Sequence, residues 1–504
     1  MFPSDTDIQT KVTLEADTTG VIDEPPFRIL MLGDWGGDAE KSEFHRRNPL
    51  EIDRDNFDDI MKKLRVRLEL EVEGGNLTLE FQGIDDFHPD ELFKQVPVFD
   101  DLRDLRRRLN NESTFNSAAR EVRGSVTESG ISVGKGADQV ESASPDLPAD
   151  NLLDAILSKP DGGAPAPKSA ASSDLINFVS DLVRPHLVSV DENEQAALTA
   201  AVDSATGDLM RKILHHRKFQ QLEAAWRGLY FLVRRTETSS DLKVFILDTT
   251  QAELTDNLKS CGNLVETVLY RHLITDAIET SSGEPWAAVF GNYAYQPIVD
   301  DVAALMRISK IASQASAPFV SHMRPEVLGI TSLADNPDSA VWNLSGETNE
   351  GKLWAALRGQ AESRYIGLTI PRFIARLPYG KDTDPSETFL FEEFTDTPVH
   401  DDYLWSNSTF AVASLLAQSY SEFGWNFSRS FVQDIDNLPV HMYEYNGETV
   451  FKSGAEVQLS QNACEKLMEY GLMPMVSFKN SDRLRLASLQ SIADPISTLK
   501  GRWS

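Results

Sequence analysis

The chain has 504 residues, with 48 Lys and Arg against 78 Asp and Glu, for a net charge of -30 at pH 7. Such a charge repels nucleic acid and anionic membrane, so neither is an expected partner. A hydrophobic fraction of 41% is enough for real cores, and the length fits roughly two to four domains. No apolar run reaches about 18 residues and the start "MFPSDTDIQT" lacks a basic-then-apolar leader, so a cytoplasmic protein without direct membrane insertion is expected.

Residues 1–24 mix Asp, Glu and Thr with few large apolar groups and read as a flexible arm. "FRILMLGDW" (27–35) is a continuous apolar run ended by Gly33 and Asp34, the pattern of a strand covered on both faces. "RVRLELEV" (65–72) and "LTLEF" (77–81) alternate instead, predicting a hairpin turned at Gly74 and Gly75 with one wet face. Leu92 and Val96, then Val98, Leu102, Leu105 and Leu109, describe a helix interrupted once at Pro97. These elements assign residues 25–124 to a first domain.

Residues 125–173, with stretches such as "DGGAPAPKSAASS", have the composition of a linker. Within it lies a short helix at 150–158, with Asp150 placed for an N-cap and Leu152, Leu153, Ile156 and Leu157 forming an apolar ridge. That ridge either docks on its own protein or is offered to a partner's groove. Residues 174–504 form a second domain. There "HHRKFQQLEAAWRGLYFLVRRT" (215–236) places Phe219, Leu222, Trp226, Leu229 and Val233 on one helical face, which something must cover. "LKVFILDTT" (242–250), "WAAVFGNY" (286–293), "APFVSHM" (317–323) and "RYIGLTI" (364–370) read as strands, with helices such as 299–316 between them. The fold class is therefore α+β, built of mixed α/β layers.

Chemistry is hard to find. "GISVGKGAD" (130–138) resembles a phosphate-binding loop but is one residue short between glycines, has Gly136 where Ser or Thr belongs, and lacks a preceding buried strand. "DRDNFDD" (53–59) has the oxygen content of a calcium loop, yet Phe57 and Asp58 fall where a ligand and the turn glycine belong; a helix start is the better reading. His215 and His216 are adjacent and diverge by about 100° on a helix, unsuited to sharing a metal. "FEEFTD" (391–396) with His400, Asp401 and Asp402 is the best place for an acid/base site, but no nucleophile accompanies it. Cys261 and Cys464 have no companions spaced for a metal and are expected to be buried thiols. No catalytic residue, cofactor or metal is assigned.

The stretch 215–248, followed in order by "GEPWAAVFGNY", "ASAPFVS", "RYIGLTIPRFIARLPYG" and "DDYLWSN", resembles the large subunit of type VI secretion contractile sheaths. "PFRILMLGDW" (26–35), "RNPLEIDRDNFDDIMKKL" (47–64) and "DDFHPDELFKQVPVFDDLRDLRRRL" (85–109) resemble the small subunit. The resemblance implies a natural fusion of two intimate partners, a small-subunit domain packed on a large-subunit domain, working as a structural component without an active site. It implies other sheath subunits, inner tube and baseplate proteins as partners, and an AAA+ unfoldase that would recognise the 151–159 helix. It also makes the 215–236 helix a core element of the large subunit. The family's large subunit continues past the region matching 477–495, so a shortened C-terminal region is expected. An accessory or cap that does not polymerise alone is the alternative role.

Overall fold

The computed structural model describes residues 24–72, 75–127, 194–343 and 346–504. The N-terminal arm up to residue 23, stretch 130–138 and the ridge Leu152, Leu153, Ile156 and Leu157 lie outside the described residues.

The N-terminal part supplies β1 (Phe27–Gly33), β2 (Leu50–Ile52), α1 (Phe57–Leu64), the hairpin β3 (Arg67–Val72) and β4 (Gly75–Glu80), then α2 (Pro89–Gln95), α3 (Pro97–Leu109) and α4 (Glu112–Thr127). Next come α5 (Glu194–Leu214), α6 (Arg217–Arg235), β5 (Leu242–Asp248), α7 (Gln251–Ser260) and α8, which opens as Val268–Tyr270 and continues as a π-helix over Arg271–Glu279. β6 (Ala288–Tyr295), α9 (Val299–Ala315), β7 (Phe319–Met323), α10 (Asn349–Arg358), β8 (Ile366–Ile370) and β9 (Phe373–Ile374) follow. The chain ends with β10 (Trp405–Ser406), α11 (Thr409–Phe423), β11 (Asp434–Ile435), the hairpin β12 (Met442–Tyr445) and β13 (Glu448–Phe451), α12 (Gln461–Glu469), β14 (Met473–Ser477) and β15 (Leu484–Leu486).

Nine strands form one sheet in the order β11-β15-β14-β8-β7-β6-β1-β5-β2. From β5 through β14 the pairs are parallel, with β2 antiparallel at one end and β15 and β11 antiparallel at the other. The N-terminal part therefore does not merely lie against the rest. Its β1 sits inside the sheet, with Ile29 opposite Val244 on one side and Ala288 on the other. Residues on a strand alternate between faces. Accordingly Phe27, Ile29 and Met31 enter the core that holds α6 and α11, while Leu30 and Leu32 enter the core that holds α7, α8 and α9. The unbroken apolar run of β1 is explained by this: a parallel strand in the middle of a sheet, with helices on both faces, has no wet side.

The hairpin follows its alternating pattern, with Leu68 opposite Leu79 and Leu70 opposite Leu77, all four buried. Around Pro97 the detail differs from expectation. Proline opens a new helix, whose inward stripe is Phe99, Leu102, Leu105 and Leu109, while Val98 is only partly buried; the restart at Pro97 resets the helical phase. Asp53 accepts from the backbone N–H groups of Asp55 and Asn56 ahead of α1, so its carboxylate organises the helix start. Cys261 and Cys464 are free thiols and only half-buried, a correction to the expectation of full burial: Cys261 sits at the C-terminal cap of α7, where backbone leaves the packed face.

Candidate functional site: the junction of the two parts

The face of α6 is covered by the N-terminal part on one flank and by α11 and β10 on the other. Phe219, Leu222, Trp226, Leu229 and Val233 are between 0% and 4% exposed. Trp226 meets Trp35 edge-on at 5.7 Å and Phe57 at 5.5 Å, and its indole N–H donates to the Trp35 carbonyl at 3.0 Å. Phe219 packs against Phe81 and Phe87, themselves stacked at 4.2 Å. On the other flank α6 approaches α11 at Gly228, where an added Cβ would lie 2.4 Å from the Phe410 ring and 2.5 Å from the Ser406 hydroxyl. Only glycine permits that approach. At the end of β1, Asp248 of β5 accepts from the Trp35 N–H at 2.8 Å, tying the turn to the neighbouring strand.

Beneath this apolar cover lies a buried ion cluster. Glu223 of α6 and Glu393 are 0% and 1% exposed. Arg376 bridges them, with Nε 2.7 Å from Glu223 and Nη1 2.7 Å from Glu393. Arg227 adds a second guanidinium, 2.6 Å from Glu223, and donates to the Tyr379 hydroxyl at 2.7 Å. The Tyr379 hydroxyl also lies 3.4 Å from the Phe87 carbonyl, so the cluster reaches the N-terminal part. Burial works against every charge here, and the paired geometry overcomes it. The Arg376 pKa stays above its ordinary value through Glu223 and Glu393, and Glu393 is held at about 2 by Arg376 despite its burial. Two arginines of α6 find local partners: Arg227 is neutralised by Glu223, and Arg235 near the helix C-terminus donates to the Asn437 carbonyl at 2.9 Å.

A third tie is Asp90 at the start of α2. Its carboxylate accepts from the Ser386 hydroxyl at 2.5 Å, the Glu387 N–H at 2.9 Å, the Thr388 N–H at 3.1 Å and the Thr388 hydroxyl. Burial pushes this carboxyl up, and those hydrogen bonds bring it down to about 2. Its unfolded value is near 4, so the stabilisation is complete above about pH 4 and is lost as the pH falls toward 2. Asp90→Ala is expected to lower stability by about 1–3 kcal/mol at pH 7. The wild-type advantage should shrink in urea melts as the pH is lowered from about 5 toward 3, between the unfolded and folded values; an unchanged gap across that window would contradict the assignment.

The acidic cluster near Asp401 is dispersed by the fold. Glu393 turns inward to Arg376, and Asp402 lies 3.6 Å from His215. His400 stacks on Trp405 and meets Lys452 at 3.1 Å, while Asp401 is exposed. His215 and His216 diverge: the first lies 3.4 Å from Glu393, and the second caps α6 by accepting from the Lys218 N–H. Among the described residues no group of three or more His, Cys, Asp or Glu side chains is arranged for a metal, and no helix is long and apolar enough to cross a membrane.

A family profile described as VipB, the EvpB/VC_A0108 tail sheath N-terminal domain, matches residues 196–493. The chain belongs to the VipB tail sheath family. A second profile, described as type VI secretion system VipA, matches residues 7–127, so one chain carries both sheath families as a fusion. The type VI secretion system sheath protein TssC1 of Pseudomonas aeruginosa is 34% identical over 305 residues, 59% of this chain. The match spans 61% of that relative's length. In this VipB-family chain the VipA-matching part supplies β1, Trp35, Phe57 and Phe87 to the VipB-matching part, and sequence reasoning had no means to see Asp90, or the Tyr379 hydroxyl near the Phe87 carbonyl, as ties between them.

Proposed function

We propose that the protein is a cytoplasmic structural subunit of a type VI secretion contractile sheath, acting through protein–protein interfaces rather than chemistry. The observation that carries this reading is the shared sheet: a strand from the VipA-matching part is hydrogen-bonded on both edges to strands of the VipB-matching part. A sheath must store free energy in assembly and release it on contraction, which demands subunits that move as rigid bodies; building both partners around one sheet provides that rigidity. Its proposed partners are other sheath subunits along the wall, the inner tube inside it and the baseplate at its end. The ridge Leu152, Leu153, Ile156 and Leu157 is proposed as the element an AAA+ unfoldase grips. Electron microscopy of sheaths isolated from cells producing the tagged protein tests the reading. Label distributed along the sheath wall is the expected result; sheaths that form and contract normally without the protein, and never contain it, would overturn the proposal.

A further inference from the structure

The carboxyl ends of the parallel strands open onto a cleft of about 920 Å³, lined among others by Asp34 after β1, Thr250 after β5, His322 of β7 and Arg372 after β8. Its position follows from topology. The chain leaving β1 enters the core on the α6 face, whereas the helices after β5 and β6 pack on the opposite face. An open α/β sheet has a crevice where successive connections part in this way, and ligands of such folds bind there.

One lining residue is unfinished. His322 is 5% exposed, and its Nδ1 is buried without a hydrogen-bond partner among the described residues. Burial lowers its pKa to about 4, with Arg372 and Arg324 acting in the same direction and Glu456 opposing, so the ring is neutral at pH 7. A buried polar nitrogen left unpaired is destabilising unless something supplies a partner. Besides the exposed Arg217, two accessible guanidinium groups line the same cleft: Arg324, 40% exposed and 2.9 Å from Glu326, and Arg372, 39% exposed and held to Glu456 at 2.5 and 3.1 Å. A guanidinium carries five N–H donors; Glu326 and the Gln296 amide oxygen take three of those of Arg324, and Glu456 takes two of those of Arg372, so each keeps donors to spare.

We propose that this cleft binds a small molecule bearing one oxyanion, phosphate or carboxylate, received by Arg324 and Arg372 with the His322 Nδ1–H as a further donor. Asp34, Asp38, Asp335, Asp401 and Glu456 line the cleft with Arg217, Lys218, Arg324 and Arg372, so carboxylates outnumber cations and disfavour a polyanion; the rest of the ligand is neutral or cationic.

Titration calorimetry on the full chain, with inorganic phosphate and separately with propionate at constant ionic strength, tests this. Saturable one-to-one binding of either probe is expected, and which one binds identifies the oxyanion. Arg324→Gln should weaken that binding by about tenfold or more while leaving the melting temperature unchanged, because this side chain is half-exposed. No saturable binding of either probe, or equal binding by the folded Arg324→Gln variant, would overturn the proposal.

Discussion

Arg376→Ala is expected to destabilise the protein by about 3–5 kcal/mol, since removing one partner of a buried ion cluster leaves the others desolvated and unpaired. The loss falls on two carboxylates at once: Glu223, 0% exposed, keeps Arg227 and the Tyr379 hydroxyl at 3.4 Å, and Glu393, 1% exposed, keeps the Tyr379 N–H at 2.7 Å and the nearby His215. Arg376→Lys should recover only part of the loss, because an ammonium cannot present paired donors to two carboxylates as the guanidinium does. Urea denaturation followed by circular dichroism gives both values. A loss below about 1 kcal/mol for the alanine variant would place the cluster among solvated surface pairs and contradict its burial.

Trp226→Ala should cost a similar amount, about 3–5 kcal/mol, through the cavity left by a fully buried indole. Trp226→Phe separates the components. It retains most of the packing against Trp35 and Phe57 but removes the donor to the Trp35 carbonyl, for an expected loss of about 1–3 kcal/mol from the unpaired carbonyl and reduced ring. Because Trp35 and Phe57 belong to the VipA-matching part, both variants should lower the unfolding midpoint of the two parts together. A variant that releases the N-terminal part while residues 194–504 melt as before would show that α6 does not couple them.

Much of this architecture is legible in single-element patterns. The apolar run 27–33 implied a strand buried on both faces, the alternation at 66–81 implied a half-wet hairpin, and the spacing of Phe219, Leu222, Trp226, Leu229 and Val233 implied a covered helical face. Those signals are local, set by periods of two and about 3.6 residues. What covers the helix is not local: Trp35 and Trp226 stand 191 residues apart. The same holds for Arg376, which reads in sequence as one more surface arginine until the fold sets it between Glu223 and Glu393. The acidic stretch "FEEFTD" is silent in the same way, because composition does not tell which carboxylate turns inward. One local signal was available and unused: Asn446-Gly447, with φ of 53° and 81°, makes the tight turn between β12 and β13, as an Asn-Gly pair between strands should. The cleft had no sequence signature, since its residues come from the ends of strands far apart in the chain.

The VipA-matching and VipB-matching parts form one folded unit, held by β1 in the sheet, the α6 contacts, the Tyr379 hydroxyl near the Phe87 carbonyl, and Asp90. The most direct test of that unity is a protease site inserted between residues 128 and 193, cut to completion and followed by native sizing chromatography. The account predicts that both fragments elute together at the position of the intact chain, with an unchanged circular dichroism spectrum. Elution of the fragments as separate species under native conditions would contradict it.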